Sequence, residues 1–314
     1  MSTIAERATA ESSPRFAVER SGLRKHVELA AIRALGRLGT VPQTILGSRA
    51  AEPLGIITYH RVVDPLLGVP APMHNVAPRR LEAQVAGLMR RGWSVWPLKR
   101  VLDAAAAGET IPRRTLVITF DDGFASVYDH AYPALARLKA PFTVFVNTGY
   151  LDGGDPFPFD LWGVDHRGRV PAATYRPLTS DQCLEMASSG LVELGAHTHT
   201  HEDFRGRGEA FRRDLETNVE QLKSRFGVSD PPFAFPYGST RLGFTSDNLQ
   251  AVAREVGVTC ALTAMRALVD PASDPYSWGR FNVFSWDTSA TLAAKLGGWF
   301  TWAAGARRWW SRSK

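Results

Sequence analysis

The feature that most restricts the fold of this chain is the strand-like run at 114–120, whose Leu116, Val117, Ile118 and Phe120 follow one another without apolar–polar alternation and which ends in Asp121-Asp122-Gly123. A strand wetted on one face alternates apolar and polar residues. A run without alternation suits a strand buried on both faces, inside a parallel sheet with helices packed against it. Similar short runs recur at 54–60, 94–96, 142–147, 191–196, 233–235 and 259–262. Between them, helical spacing of apolar residues predicts helices over 79–91, 98–107, 128–139, 180–188, 211–226 and 246–256. Strands alternating with helices predict an α/β fold with parallel strands. Residues 152–177 are left as a long irregular loop rich in Gly, Pro and aromatic residues, a kind of loop that more often serves function than mere connection.

Asp121 and Asp122 stand at the exit of the 114–120 strand. Two close carboxylates repel, and a bound cation removes that penalty. One can then hold a metal while the other acts as a base. A helix N-cap is the alternative for such a pair. A second apolar strand runs into His197-Thr198-His199-Thr200-His201. Imidazoles with a carboxylate suit a divalent ion, zinc by default, with cobalt or nickel accepting the same donors. A polar surface loop is the alternative for these histidines. A third strand ends in Phe235-Pro236-Tyr237-Gly238, where exposed backbone N–H groups can hold an oxyanion, or which is a plain turn. These groups together point to metal-assisted hydrolysis.

The three segments, in this order, resemble the NodB-homology polysaccharide deacetylases of carbohydrate esterase family 4, over roughly residues 54–285. The resemblance implies a distorted (β/α) barrel with parallel strands and removal of N-acetyl groups from a polysaccharide, oligosaccharide or glycolipid. It implies Asp121 as base, Asp122, His197 and His201 as metal ligands, and the Tyr237 backbone in the oxyanion hole. Thr198 would buttress the loop, and His199 would be no ligand.

Two departures stand out. The arginine that orients the base in the family's third motif is missing from Phe233-Ala234-Phe235, and no late Leu-x-His follows Trp286. Tyr59-His60 is similar to the branch that includes the poly-N-acetylglucosamine deacetylases, which implies His60 as the acid. Asp160, Trp162 and Pro236 are the expected substrate contacts. The two departures motivate an alternative, a catalytically weak glycan-binding protein on the same fold; an amidohydrolase acting on a non-sugar amide is another.

The 314 residues, 44% hydrophobic, suffice for one large α/β domain. The expected division is a tail with an amphipathic helix (1–50), a deacetylase-like catalytic domain (51–288) and a basic, Trp-rich segment (289–314). Cys183 and Cys260 form no disulfide framework or zinc spacing and are expected as buried thiols. The net charge of +6 is concentrated toward the ends, without a nucleic-acid motif, so no nucleic-acid partner is expected. No apolar run reaches the roughly 18 residues of a membrane span. No standard signal peptide is expected. The expected location is cytoplasmic, with peripheral contact at the inner membrane through the basic and Trp-rich ends.

Overall fold

The computed structural model describes residues 54–299. The expected tail and amphipathic helix (1–50) and the Trp-rich residues beyond Trp299 lie outside them. Strands β1 (Leu54–Tyr59) and β3 (Thr115–Phe120) pair in parallel along their full length, Leu54 opposite Thr115 and Tyr59 opposite Phe120. The far edge of β3 is shared by β2 (Ser94–Val95) at its start and β4 (Phe142–Val146) at its end. β5 (Val192–Ala196), β6 (Phe233–Ala234) and β7 (Ala261–Leu262) follow on from β4, and β8 (Phe281–Asn282) pairs with β1. All pairings are parallel, in the order β7-β6-β5-β4-β3-β1-β8. The outer strands do not pair with each other. The Thr263 N–H donates to the Trp278 carbonyl at 2.8 Å, and Arg280 Nε to the Thr263 carbonyl, across the gap between them. This is the expected distorted barrel.

The apolar runs divide by strand parity. Leu116, Ile118 and Phe120 join the layer between sheet and helices, while Val117 joins a second cluster with Leu54, Ile56, Phe145 and Ala234 inside the curl. Leu98 and Val101 of the helix Leu98–Ala106 belong to that inner cluster. Residues on the inner parity just past the strand ends are therefore aimed at the mouth of the barrel. They are His60 after β1, Asp121 after β3 and His197 after β5.

Three elements differ from expectation. The helix expected over 128–139 is a π-turn, Val127–Ala131, running into Tyr132–Arg137. Pro133 has no N–H for Asp129, and the wider turn absorbs the missing bond. Within the long loop lies a short helix, Leu161–His166. The core also runs past residue 288. Helix Ser289–Leu296, held by a Thr288/Thr291 capping box, buries Leu292 and Leu296 completely, and each such leucine stabilises by roughly 2 kcal/mol. Leu296 packs against Gly55 of β1, where a Cβ would lie 2.2 Å from its Cδ2. Both cysteines are free and buried.

Candidate active site

Asp121 is fixed at both ends. Its N–H donates to the Tyr59 carbonyl at 3.0 Å, which ties it to β1. Its carboxylate receives both arms of Arg280, Nη1 to Oδ1 at 2.6 Å and Nη2 to Oδ2 at 2.8 Å. Arg280 also donates to the hydroxyls of Thr58 and Thr119, each at 3.3 Å, and lies over the Phe145 ring. Burial raises the Asp121 carboxyl, but the charges of Arg280, His197 and His60 outweigh it and hold it below the usual range. The arginine missing from the third motif is thus present in space, supplied from the entry to β8. Strand β8 has two residues and no readable pattern, so nothing local drew attention to Arg280.

Asp122 leaves the strand with φ 71°, which swings its carboxylate to the rim beside Asp121. Its Oδ1 stands 3.4 Å from His197 Nε2 and 3.5 Å from His201 Nε2. Such spacing suits three donors around one ion with bonds of about 2.1 Å. All three side chains are buried. His197 Nδ1 meets the Ala234 carbonyl at 2.8 Å, which places the proton there and leaves Nε2 free as a donor to a metal. His201 Nδ1 is buried without a partner among the described residues. Burial raises Asp122, while the hydrogen bond with His197 and the histidine charges pull it well below the usual range. His201 is pushed down to about 3, chiefly by burial, and so offers a neutral ring. The donor set fits a divalent ion.

The histidine loop is held by Thr198, as expected, and by two groups that the sequence did not single out, Asn218 and Asp214. Asn218 accepts from the His197 N–H at 3.0 Å and donates to the Val146 carbonyl and the Thr148 hydroxyl. Asp214 accepts from the His199 N–H and the Thr200 hydroxyl. Both lie on the helix Gly208–Phe226. Thr198 accepts from the His201 N–H at 3.0 Å. His199 turns aside to Thr148 and has no place among the three donors. Non-glycine residues with positive φ are uncommon and strained. Of the eight among the described residues, His74, Asp122, Thr198, His201 and Tyr237 gather here.

These groups open onto a cleft of about 530 Å³. His60, Asp121, Asp122, His197, His201, Tyr237, Asp160 and Trp162 all line it. His60 Nε2 stands 3.9 Å from Asp121 Oδ2. The Tyr237 N–H has no partner among the described residues, and its ring packs edge-on against His201 at 4.8 Å. Pro236 is the exception. It is buried, and its carbonyl accepts from the Gly238 N–H, so it shapes the turn instead of touching a ligand. Gly238 is required there, with φ 58° and the Ala264 nitrogen 2.7 Å from where a Cβ would sit.

The loop aromatics divide. Phe157 and Tyr175 are buried, whereas Phe159 stacks on His201 at 3.8 Å and Trp162 faces the cleft. Asp160 is not a free contact; it pairs with the buried Arg61, whose guanidinium lies between the rings of Phe124 and Trp162.

Residues 108–261 match the polysaccharide deacetylase family, spanning all three strand-end segments. That match takes in just under half of the chain. Curated deacetylase relatives include a poly-beta-1,6-N-acetyl-D-glucosamine N-deacetylase of Staphylococcus aureus, 24% identical over 212 residues. That match covers 65% of this chain and 66% of the relative, just under two thirds of its length. The enzyme of the same name from Staphylococcus epidermidis is 24% identical over 72% of this chain and 73% of its own. Among solved structures, IcaB from Ammonifex degensii superposes with a TM-score of 0.64 at 25% identity, over 79% of this chain and 98% of that one. Streptococcus pyogenes deacetylase PplD, in complex with acetate, gives 0.63 at 18% identity over 78% and 98%, a likeness of fold.

Proposed function

We propose that this chain is a metal-dependent N-deacetylase of an N-acetylglucosamine polymer. One observation carries the reading. A carboxylate gripped by a buried arginine lies beside a second carboxylate that shares a centre with two imidazoles, all in one cleft. The matched relatives support the glycan as substrate.

Asp122, His197 and His201 would hold a divalent ion, which when bound would supply Lewis-acid polarisation of the acetyl carbonyl and a more acidic water. Asp121, kept ionised by Arg280, takes a proton from the attacking water as its oxygen bonds to the carbonyl carbon. The Tyr237 N–H donates to the oxyanion that forms. His60, protonated, gives its proton to the nitrogen as the C–N bond breaks, leaving acetate and a free amine. Trp162 and Phe159 offer ring faces on the wall of the cleft. Arg280 removes one reason for the weak-binder alternative, since the base is oriented after all.

Contact with a membrane, and with it a cytoplasmic site at the inner membrane and a lipid-linked substrate, belongs to the same proposal. Its support is the basic, Trp-rich composition of residues 299–314. No helix of the described residues is long and apolar enough to cross a membrane.

The test is acetate release from β-1,6-linked N-acetylglucosamine oligomers by zinc-loaded protein, with Asp121→Asn and His197→Ala as controls. Release that both substitutions abolish supports the reading. Stoichiometric metal with no acetate from the wild type overturns the substrate, and absence of metal binding overturns the enzyme.

A further inference from the structure

A catalytic histidine is usually oriented by a hydrogen bond from its second nitrogen to a carboxylate or carbonyl. His60 has no such bond. Among the described residues neither of its ring nitrogens is hydrogen-bonded, and its approach to Asp121 is 3.9 Å. What lies against the ring is His74, stacked at 4.8 Å with planes 21° apart. The stack continues outward. His74 meets Phe284 at 5.8 Å, and Phe284 lies on Trp286 at 4.6 Å and 5°.

His74 is held in place at a cost. Its φ is 59°, in the left-handed region, and its Nδ1 is buried with no partner among the described residues. Strain and an unsatisfied polar atom persist only where the surroundings impose them. The imposing group is Asn75, whose buried amide accepts from the Val63 N–H and donates to the Val63 carbonyl, both at 3.0 Å. The Val76 N–H donates to the Arg61 carbonyl beside it. The loop is thereby folded back so that its last residue before the clamp, His74, lands on His60. Phe284, on the other face of the stack, is tied by its N–H to Asp287, which pairs with Lys295 of the helix Ser289–Leu296.

We infer that His74 is a positioning residue for the catalytic acid, fixing the plane of the His60 ring beside Asp121 by stacking. The inference rests on the reading of His60 as acid. Burial and the neighbouring His60 push the His74 ring down to about 4, against the opposing pull of Asp122 and Asp121, so a neutral ring faces His60.

The experiment compares two substrates on the zinc-loaded full chain. An N-acetylglucosamine oligomer has an amine leaving group that must be protonated. 4-Nitrophenyl acetate releases a phenolate that leaves without a proton. His74→Ala is expected to lower kcat on the amide roughly ten- to a hundredfold, up to the low end of what general acid catalysis contributes, with KM within about twofold and ester turnover within about threefold. His74→Phe, which retains a ring, is expected to recover most of the lost amide turnover. Equal losses on amide and ester would make His74 a structural support only, and a rise in KM with kcat intact would make it a substrate contact; either overturns the inference. His60→Ala separates the two readings. If it fails to discriminate amide from ester, the acid assignment falls. If it discriminates and His74→Ala does not, the positioning role alone falls.

Discussion

Arg280 and Asp121 meet edge to edge at 2.6 and 2.8 Å, with side chains 1% and 6% exposed. A planar guanidinium matches both carboxylate oxygens, which an ammonium cannot do. Arg280→Met leaves a buried carboxylate without its counter-charge, a loss of about 3–5 kcal/mol in stability. With the arginine gone, burial pushes the Asp121 carboxyl upward, and the carboxylate needed as base forms only at higher pH. The acid limb of the pH–rate profile should therefore move to higher pH in Arg280→Met and less so in Arg280→Lys. Superimposable acid limbs in wild type and both variants would refute the coupling.

Metal removal should destabilise the fold locally and measurably. A ligand present at a thousandfold its Kd stabilises by about 4 kcal/mol. Chelation is expected to lower Tm by several degrees, and zinc or cobalt to restore it. His201→Ala should lack both responses. A thermal melt that is indifferent to chelator and to added metal would remove the ion from the site.

Asn218 is buried and supports His197 from the helix behind it. Asn218→Leu leaves the His197 N–H unpaired without touching the donors themselves. Groups behind a metal ligand typically change affinity by about 10- to 100-fold. Titration of the apoprotein with zinc should show a loss of that order, while wild-type affinity in the variant would show that the loop holds its shape without the amide.

The pH dependence of stability should carry the signature of His74. Above about pH 6.5 its ring is neutral in folded and unfolded chain alike. As the pH falls from there to about 4, the unfolded chain takes up a proton that the folded chain refuses, so stability declines and then levels off. His74→Phe removes this group, and its urea unfolding free energy should fall less steeply with pH over that window. Parallel slopes for wild type and variant would place the titration elsewhere.

Much of the fold was legible because its signals are local. The unalternating run at 114–120 marked a strand buried on both faces, and the helix Ser180–Ser188 matches its expected bounds. The boundary at 288 was less legible. The residues after it form a short helix, and what makes that helix part of the core is the docking of Leu296 on Gly55, distant in sequence. Asn218 and Asp214 gave no signal either, since polar residues on a long helix are ordinary until a loop is seen resting on them. Pro236 was drawn in by its neighbours in the motif, and the turn buried it.

The sequence by itself determined which residues would stand at the strand ends, because the polar group that ends an apolar run is a property of neighbouring residues. That places His60, Asp121 and His197 at the mouth of a parallel barrel before any coordinates are known. Only the tertiary structure decided which distant groups complete them. Arg280 reaches Asp121 across 159 residues, and His74 reaches His60 because Asn75 closes its loop. Those contacts depend on how far the sheet curls and where a loop is pinned. Both are settled by packing summed over the whole domain, and no short stretch of sequence records that sum.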